Sequence, residues 1–434
     1  MNICMFTNTY LPHVGGVARS VATFAMDLRR LGHEVLIVAP TFAGYREGGL
    51  EEEGVLRVPA IQNFNGSDFS VQLPLPYLID NRVKAFKPEI VHSHHPFLLG
   101  DSALRTARAY RLPLIFTHHT LYEKYTHYVP FDSAIMKRFT IHLVTKYANL
   151  CDAIIVPSRS VLRLLKKRKV TRPMVEVPTG IDTAFFAAGD GAALRRRLNI
   201  DEDVLVIGHV GRLAAEKNLP YLAEAVARFL RHRQKVCFLV VGQGDAEGTI
   251  RQIFAEAGQE NKLIMQGIFR GTELAAAYRA MDLFVFASKS ETQGMVLAEA
   301  MAAATPVVAL DASGVREVVR NGTNGILLGA NASVESFAAA LTTFAESDPA
   351  RRRQLREGAL ATAELFSRER CVRRLFDLYD HTCRVHAIAN QATEREDNGL
   401  DAVLRRLQVE WDLLTEKIEA MTGTINNDEI ASLD

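Results

Sequence analysis

The hydrophobic residues of this chain fall in short runs that alternate with longer amphipathic segments. Five apolar runs in the first part of the chain are typical of buried β-strands: residues 3–6, 35–39, 90–91, 114–116 and 154–156. Between the first two, residues 17–31 carry apolar side chains at helical spacing, and Gly32 follows as a stop signal. Strands that alternate with helices predict a parallel sheet with helices on both faces.

The same alternation begins again after residue 200. A second set of strand-like runs lies at residues 204–210, 236–241, 263–266, 283–287 and 307–310. Two complete sets predict two Rossmann-like, doubly wound α/β domains, which we assign to residues 1–180 and 181–365. The hinge is placed at residues 178–182, where Pro and Gly end the preceding strand. Because such sheets bind ligands beyond the carboxyl ends of their strands, we expect the two domains to face a shared cleft.

The C-terminal part follows a different pattern. We interpret residues 366–390 as a helix that crosses back to the first domain and residues 391–434 as an amphipathic helix with a tail. Apolar residues there recur at alternating spacings of three and four, in the order Leu400, Leu404, Leu407, Trp411, Leu414, Ile418 and Met421. These seven residues, called the seam below, make a heptad pattern over about three repeats. The seam could dock on its own enzyme, pair two copies of the chain, or contact a partner or membrane.

Composition excludes several classes of protein. Fifty-one Lys and Arg residues against 50 Asp and Glu leave the net charge near zero, which argues against a general polyanion binder. The five cysteines are widely spaced and form no CxxC pair, so neither a disulfide framework nor a zinc site is indicated. We find no signal peptide and no apolar run long enough to span a bilayer. A reduced, cytoplasmic location fits these features best, with peripheral attachment to a membrane left open.

Two loops at predicted strand ends could bind phosphate. Gly15 and Gly16 come just before a helix, where backbone amides can approach an anion closely, although a simple tight turn explains them equally well. In the second domain, Gly211 opens a loop that carries Arg212 and Lys217. Such cations are usually only solvated, but at this strand end both could neutralise a departing diphosphate.

The strongest pattern is a pair of carboxylates, Glu291 and Glu299, eight residues apart. If a helix starts near Gly294, Glu291 lies on the loop and Glu299 about one and a half turns inside the helix. One carboxylate could then accept hydrogen bonds from sugar hydroxyls and the other from a ribose diol, while amides at the helix start face phosphate. The alternative is that Glu299 simply faces solvent.

These motifs together resemble the second domain of glycosyltransferase family 4, whose fold is called GT-B. The resemblance rests on GRLAAEKN, VVGQGD, SETQGMVLAEAMAAATPVVAL and GVREVVRNGTNGILL and covers about residues 1–385. It implies a retaining transferase that uses UDP- or GDP-sugars without an essential metal or other cofactor. It also implies roles for single residues. Glu291 would bind the transferred sugar, Glu299 the ribose, and Arg212 and Lys217 the diphosphate. The amides of Gly294, Met295 and Val296 would lie near the phosphate or sugar, the backbone of residues 266–268, with Ile268, would line the base pocket, and Gly16 would approach the diphosphate from the first domain.

The histidines of the first domain do not indicate a metal site. No Asp or Glu ligand set accompanies them, and we expect His94 and His95 to point to opposite faces of a strand. The family resemblance instead implies that His119 hydrogen-bonds the donor sugar. His118 is the alternative, because a shift of one residue would exchange the two.

Two further segments bear on the acceptor. Residues 117–128 are similar to the corresponding segment of bacterial diacylglycerol glucosyltransferases, with Tyr122, Tyr125, His127 and Tyr128 on the acceptor side, although aromatic packing is the alternative. The segment from Arg159 to Arg172 holds seven cations and no acid. Together with its leucines, this basic segment is suited to binding an anionic lipid surface. The alternative is that it is a solvated helix end. Binding to nucleic acid is disfavoured, because no nucleic-acid-binding motif accompanies the segment.

The expected protein is thus a retaining hexosyltransferase that moves a sugar, with UDP-glucose favoured, from a nucleotide donor to a lipid such as diacylglycerol. The resemblance implies front-face displacement, in which the leaving diphosphate oxygen takes the acceptor proton. The same chemistry on a soluble polyol, sugar phosphate or polysaccharide is the main alternative. A non-catalytic scaffold and a sugar-nucleotide epimerase of the same fold are disfavoured by the set of candidate residues.

Overall fold

The structure is a computed structural model of the chain. It describes residues 1–13, 15–45, 54–61, 71–72, 76–124, 133–391 and 399–426, with the backbone alone for residues 71–72, 76–77, 399–406 and 422–426. The chain divides into two compact units. Unit 1 comprises Met1–Gly180 with Cys371–Asp434, and unit 2 comprises Ile181–Arg370.

Unit 1 is built on a parallel sheet of seven strands, in the order β3-β2-β1-β6-β7-β8-β9. The strands are β1 (Asn2–Phe6), β2 (Glu34–Pro40), β3 (Val55–Val58), β6 (Ile90–Ser93), β7 (Leu114–Thr117), β8 (Ala153–Val156) and β9 (Met174–Glu176), while β4 (Ala60–Ile61) and β5 (Val71–Gln72) form a separate antiparallel pair. The helices are α1 (Gly16–Arg30), α2 (Pro76–Phe86), α3 (Leu99–Ala109), α4 (Ala134–Leu150) and α5 (Arg159–Lys167).

Strand β1 shows why the short apolar runs form a covered sheet. Cys4 and Phe6 pack in one hydrophobic cluster, and Ile3 and Met5 pack in another on the opposite side of the strand. Since successive side chains of a strand point to opposite faces, both faces of the sheet are buried and the run is apolar throughout.

Unit 2 is built on a parallel sheet of six strands, in the order β12-β11-β10-β13-β14-β15. The strands are β10 (Leu205–Val210), β11 (Val236–Val241), β12 (Leu263–Gln266), β13 (Leu283–Phe286), β14 (Val307–Leu310) and β15 (Gly325–Leu328). The helices are α6 (Thr183–Ala187), α7 (Gly191–Arg197), α8 (Leu219–Leu230), α9 (Glu247–Glu256), α10 (Gly271–Ala280), α11 (Met295–Ala302), α12 (Val315–Val318), α13 (Val334–Ala345) and α14 (Pro349–Glu364).

Both sheets change winding direction at their first strand, which confirms the predicted fold class of two Rossmann-like units. In unit 2 the chain winds outward from β10 through β11 to β12, then returns to the other side of β10 with β13. The carboxyl ends of β10 and β13 therefore flank the switch point, which is where open α/β sheets leave a crevice for ligands. In unit 1 the corresponding strands are β1 and β6.

Two long helices complete the chain. Helix α15 spans Arg368–Gln391 and from Cys371 onward belongs to unit 1, where Leu375 and Tyr379 pack in the hydrophobic cluster beside β1. Helix α16 spans Gly399–Asn426 and packs on α3 and α4 of the same unit. No helix among the described residues is long and apolar enough to cross a membrane.

Helix α16 docks on its own unit, but not through the seam. Its buried side chains include Val409, Leu413 and Ala420, whereas the seam residues with described side chains are exposed: Leu407, Trp411, Leu414, Ile418 and Met421. The docked face also buries Glu416, whose two carboxylate oxygens have no hydrogen-bond partner among the described residues. Burial raises the pKa of Glu416 to about 8, so the acid is mostly protonated at neutral pH.

Candidate functional site

The switch point of unit 2 brings together two of the predicted site residues. The Lys217 ammonium, on the loop after β10, lies 3.2 Å from Oε2 of Glu291, on the loop after β13. The backbone amide of Gly294 donates to the other oxygen of Glu291 at 3.3 Å. Both side chains are partly exposed, at 20% for Lys217 and 18% for Glu291, so each can still meet a ligand.

The electrostatics of this pair favour an ionised carboxylate. Burial alone would raise the pKa of Glu291, but the Lys217 ammonium and the amides of Gly294 and Gln293 outweigh it and hold the pKa below its usual value. Glu291 is therefore a hydrogen-bond acceptor at neutral pH, which is the property required to bind sugar hydroxyls.

The loop after β10 is folded by its own short-range contacts. Residues Ala215–Lys217 form a 3-10 turn, and Asn218 adopts a left-handed conformation with φ of 55° before α8 begins. Arg212 is about half exposed and pairs with the Glu216 carboxylate one turn later. Of the two cations predicted to meet the diphosphate, Lys217 thus lies against Glu291, and Arg212 lies on the same loop with a different acidic partner.

Helix α11 begins as the sequence suggests. Gly294 precedes it with a φ of +81°, and a side chain there would approach within 2.9 Å of Leu297. Met295 and Val296 occupy the first turn, where backbone amides have no intrahelical acceptor and attract anions.

Glu299 lies inside α11 and does not face solvent. Its side chain is buried, and the Tyr278 hydroxyl of α10 donates to its Oε2 at 2.8 Å. The alternative of a solvent-facing Glu299 is therefore wrong. The role of Glu299 on a ribose stays a prediction.

The remaining predicted donor residues of unit 2 lie at the same edge of the sheet. Gly242 follows β11 with a φ of +149°, and a Cβ there would lie 1.9 Å from the carbonyl oxygen of Gly211, so the two loop backbones touch. The Gly242 amide donates to the Gln266 carbonyl at 3.1 Å, which brings the segment after β12 beside them. Ile268, two residues further on, is half exposed.

His209 is a residue of this region that sequence reasoning missed. It lies on β10, stacks against Phe284 and Phe286, and places Nδ1 3.0 Å from the carbonyl of Val285. Burial, with a smaller contribution from the Lys217 charge, lowers its pKa to about 4, so the ring is neutral beside the candidate site. A lone His in an apolar run carries no signal that separates it from the core.

The histidines of unit 1 gather just beyond the carboxyl ends of β6 and β7. Strand β6 ends at Ser93, before His94 and His95. The prediction that these two residues are neighbours on a strand is therefore wrong. His94 Nδ1 lies 2.9 Å from Nε2 of His119, and His95 Nδ1 accepts the amide of Asn8, on the loop after β1, at 3.0 Å. Imidazole rings thus connect the loops that follow β1, β6 and β7 at the carboxyl edge of this sheet.

All five rings of this group are neutral at physiological pH. Burial lowers the pKa of His92 and His95 to about 3 and that of His118 to about 4. Burial, reinforced by neighbouring histidines, also lowers the pKa values of His94 and His119 well below the usual value. Among the described residues, no group of three or more His, Cys, Asp or Glu is placed to hold a metal ion.

The structure distinguishes His119 from His118. His118 is fully buried, and neither of its ring nitrogens has a hydrogen-bond partner within the described part of the chain. The His119 ring is partly accessible and bonded to His94. Of the two, His119 is therefore the one that a substrate can reach without rearrangement of the core.

The other predicted residues of unit 1 are placed as follows. Gly15 precedes α1, and a Cβ on Gly16 would meet nothing within 4 Å, which leaves open space over the start of that helix. Tyr122 lies in a 3-10 turn and packs edge-on against His118 with ring centroids 5.8 Å apart. Tyr125, His127 and Tyr128 lie outside the described residues.

The basic helix α5, which lies wholly within the described residues, has no free apolar face to offer a lipid surface. Val161 and Leu165 are buried in the core of unit 1, so the apolar face of this helix is already covered. Arg168 is also buried, with its guanidinium 2.7 Å from the Glu123 carboxylate, and Arg159 pairs with Glu176. The cations that remain as an exposed basic surface are Arg163, Lys166, Lys167, Lys169 and Arg172.

Comparison with known proteins agrees with this arrangement. Two protein-family models match the chain: "Glycosyltransferase Family 4" over residues 14–185 and "Glycosyl transferases group 1" over residues 190–361. An alpha-monoglucosyldiacylglycerol synthase of Streptococcus pneumoniae is 31% identical over 321 residues, which are 71% of each chain. A GDP-mannose-dependent alpha-mannosyltransferase of Mycolicibacterium smegmatis is 32% identical and covers 79% of this chain and 87% of its own.

Solved structures share the fold at lower identity. Anabaena HepE in complex with UDP superposes with a TM-score of 0.70 at 19% identity, covering 88% of this chain and 100% of HepE.

Proposed function

The chain belongs to glycosyltransferase family 4, and on this premise we propose that it is a retaining hexosyltransferase that moves glucose from UDP-glucose to diacylglycerol. The contact between Lys217 and Glu291 at the switch point of unit 2 is the main support for a donor-binding site there. There, a cation for the diphosphate and a carboxylate for the sugar hydroxyls lie side by side.

The proposed chemistry follows from the charges at this site. As the bond from the anomeric carbon to the diphosphate oxygen breaks, negative charge develops on the leaving group, where Lys217, Arg212 and the first amides of α11 stabilise it. The acceptor hydroxyl attacks on the same face of the sugar, and its proton passes to the departing oxygen. This route retains the anomeric configuration and requires no separate base.

The choice of a lipid acceptor rests on a relative. The Streptococcus pneumoniae relative, whose name specifies glucosylation of diacylglycerol, supports diacylglycerol as the acceptor. The relative named for GDP-mannose makes mannosyl transfer the second candidate.

We expect the purified enzyme to form glucosyldiacylglycerol when it is given UDP-glucose and vesicles that contain diacylglycerol. The product should carry an α-linkage, which proton NMR of the anomeric position would report. Parallel reactions with GDP-mannose, and with glycerol or an inositol phosphate as soluble acceptor, serve as controls. Transfer that occurs only to a soluble acceptor would contradict the lipid proposal, and a β-linked product would contradict retention.

We also propose that the exposed cations around α5 hold the enzyme peripherally on an anionic cytoplasmic membrane surface. Because the apolar side of α5 is buried, this attachment would be electrostatic. Each cation near such a surface contributes about 1 kcal/mol, so the double variant Lys166→Glu/Lys167→Glu should lower binding to anionic vesicles more than about tenfold. Sedimentation with vesicles measures this loss.

A matched control is the variant Arg196→Glu/Arg197→Glu, which reverses two adjacent exposed cations on α7 of unit 2. It should sediment like the wild type. Equal losses in both double variants would assign binding to overall charge, and no loss in either would remove α5 from the membrane contact.

A further inference from the structure

Helix α16 carries apolar side chains on two faces, and the described part of the chain covers only one of them. Val409, Leu413 and Ala420 are buried against α3 and α4. The seam points the other way, with exposed fractions of 62% at Leu407, 66% at Trp411 and 61% at Met421. A helix that is apolar on both sides is normally buried on both sides.

The exposed seam is large for the surface of a single protein. Its five described side chains expose on the order of 500 Å² of apolar area, which is near the upper range for one patch on a monomer. Burying this area on two molecules would remove roughly 1,000 Å² from water, the lower limit for a specific protein interface.

The spacing of the seam matches a partner helix. Leu407, Trp411, Leu414, Ile418 and Met421 follow each other at intervals of four and three residues, the 3.5-residue period that keeps one stripe facing a second helix. The charged residues Glu410 and Lys417, which flank the seam and are called its rim, form ion pairs within unit 1. Glu410 pairs with Arg105 at 2.6 Å, and Lys417 pairs with Asp101 at 2.8 Å. These pairs leave the rim polar and nearly neutral, as at protein interfaces.

The charge of α16 argues against a membrane as the partner that covers the seam. Residues 399–426 carry five acidic side chains against three basic ones. One of the five acids, Glu416, is mostly protonated, so the helix is nearly neutral. Amphipathic helices that bind anionic lipid are rich in Lys and Arg, and this helix lacks that excess of positive charge. The seam therefore fits a protein helix better than a bilayer.

We propose that the seam joins two copies of this chain, α16 against α16, in a symmetric dimer. A helix whose outward stripe is self-complementary meets the requirement of a two-fold interface, in which the same patch is contributed by both subunits. Trp411 lies at the middle of the seam and becomes buried in the pair. The pairing is independent of the sugar-transfer proposal.

Trp411 makes the test direct, because it is the one tryptophan of the sequence. Its fluorescence therefore reports on the seam alone. At high concentration the wild type should emit at short wavelength and show twice the monomer mass of 48.1 kDa in light scattering. On dilution the emission should shift to longer wavelength together with the fall in mass.

The variant Leu407→Glu/Leu414→Glu introduces charges into the seam and should be monomeric, with long-wavelength emission at every concentration. Ile388→Glu, which charges an equally exposed apolar residue of α15, is the matched control and should remain a dimer. Circular dichroism would verify that all variants are folded.

Three results would overturn the proposal. The first is a wild type that stays at 48.1 kDa throughout the dilution series. The second is a dimer that survives the Leu407→Glu/Leu414→Glu change. The third is a monomer whose Trp411 emission shifts only when anionic vesicles are added, which would assign the seam to a membrane.

Discussion

The Lys217→Ala variant is expected to turn over its donor about 30- to 1,000-fold more slowly than the wild type, because removing one positioned electrostatic group raises the transition-state barrier by about 2–4 kcal/mol. In the structure, the Lys217 ammonium lies 3.2 Å from Glu291 at the switch point of unit 2. Steady-state release of the nucleoside diphosphate measures the effect.

Two controls separate catalysis from a local electrostatic defect. Lys235→Ala removes an exposed lysine just before β11, at the opposite end of the same sheet, and should leave turnover unchanged. The double variant Lys217→Ala/Glu291→Gln removes the charge that Lys217 would otherwise leave unpaired. The reference for the double variant is Glu291→Gln alone, since that change also removes a partner of the sugar hydroxyls. If Lys217 serves only to neutralise Glu291, the double variant should be no slower than Glu291→Gln. If Lys217 stabilises the leaving group, the double variant should be slower than Glu291→Gln by about the same factor that Lys217→Ala costs the wild type.

Unit 1 is expected to lose stability steeply as the pH falls below about 6.5. The folded state keeps His92, His94, His95, His118 and His119 neutral, because their pKa values are lowered, whereas the unfolded chain takes up protons near pH 6.5. A group with a lowered folded pKa contributes stability that is present above the unfolded pKa and is lost as the pH falls. Between about pH 7.5 and 5.5, each histidine that stays neutral in the folded state should lower the free energy of unfolding by about 1 kcal/mol. Glu416, whose pKa is raised to about 8, takes up its proton in the folded state over the same range and offsets part of this loss. The net loss should still be several kcal/mol.

Urea unfolding followed across this pH range measures the loss. His118→Phe should reduce the pH dependence by close to one proton, since this ring is buried without a hydrogen-bond partner within the described residues. His232→Phe, which changes an exposed histidine of unit 2, should leave the pH dependence unchanged. A wild-type stability that is flat down to about pH 5 would contradict this prediction, because it would mean that the folded and unfolded chains take up the same number of protons over this range.

The fold could be predicted largely from periodicity. Every predicted strand run, such as residues 236–241, is a strand in the structure, because a sheet covered on both faces requires continuous apolar runs. In the two parallel sheets, strands β3, β9 and β15 were not predicted, and the short antiparallel pair of β4 and β5 was not predicted either. The run Met174–Glu176 of β9 is only partly buried, so its sequence is not apolar enough to stand out.

The site was predicted where a motif has a local structural cause. Gly294 begins α11 because its backbone is left-handed, and this spacing determines where Glu291 and Glu299 lie. The sequence could not predict long-range partners. The Tyr278 hydroxyl on Glu299, the His94 ring on His119 and the burial of Arg168 against Glu123 all join residues that are distant along the chain.

The seam illustrates a different limit. Its heptad spacing was visible in the sequence, but which face of α16 packs on unit 1 depends on α3 and α4. The ion pairs of Glu410 and Lys417 with those neighbouring residues orient the helix. A pattern within one helix therefore could not reveal that the more apolar side is directed outward.

The contact between Lys217 and Glu291 has a consequence for product release. Without a ligand each side chain satisfies the other, so the empty site carries little net charge. A complete sugar nucleotide would replace both halves of this contact at once, offering phosphate to the lysine and hydroxyls to the glutamate. A bare nucleoside diphosphate would bind the lysine and leave the partly buried Glu291 carboxylate with backbone amide partners alone. The spent nucleotide should therefore bind less tightly than the donor, and closing of the ion pair would help to expel it.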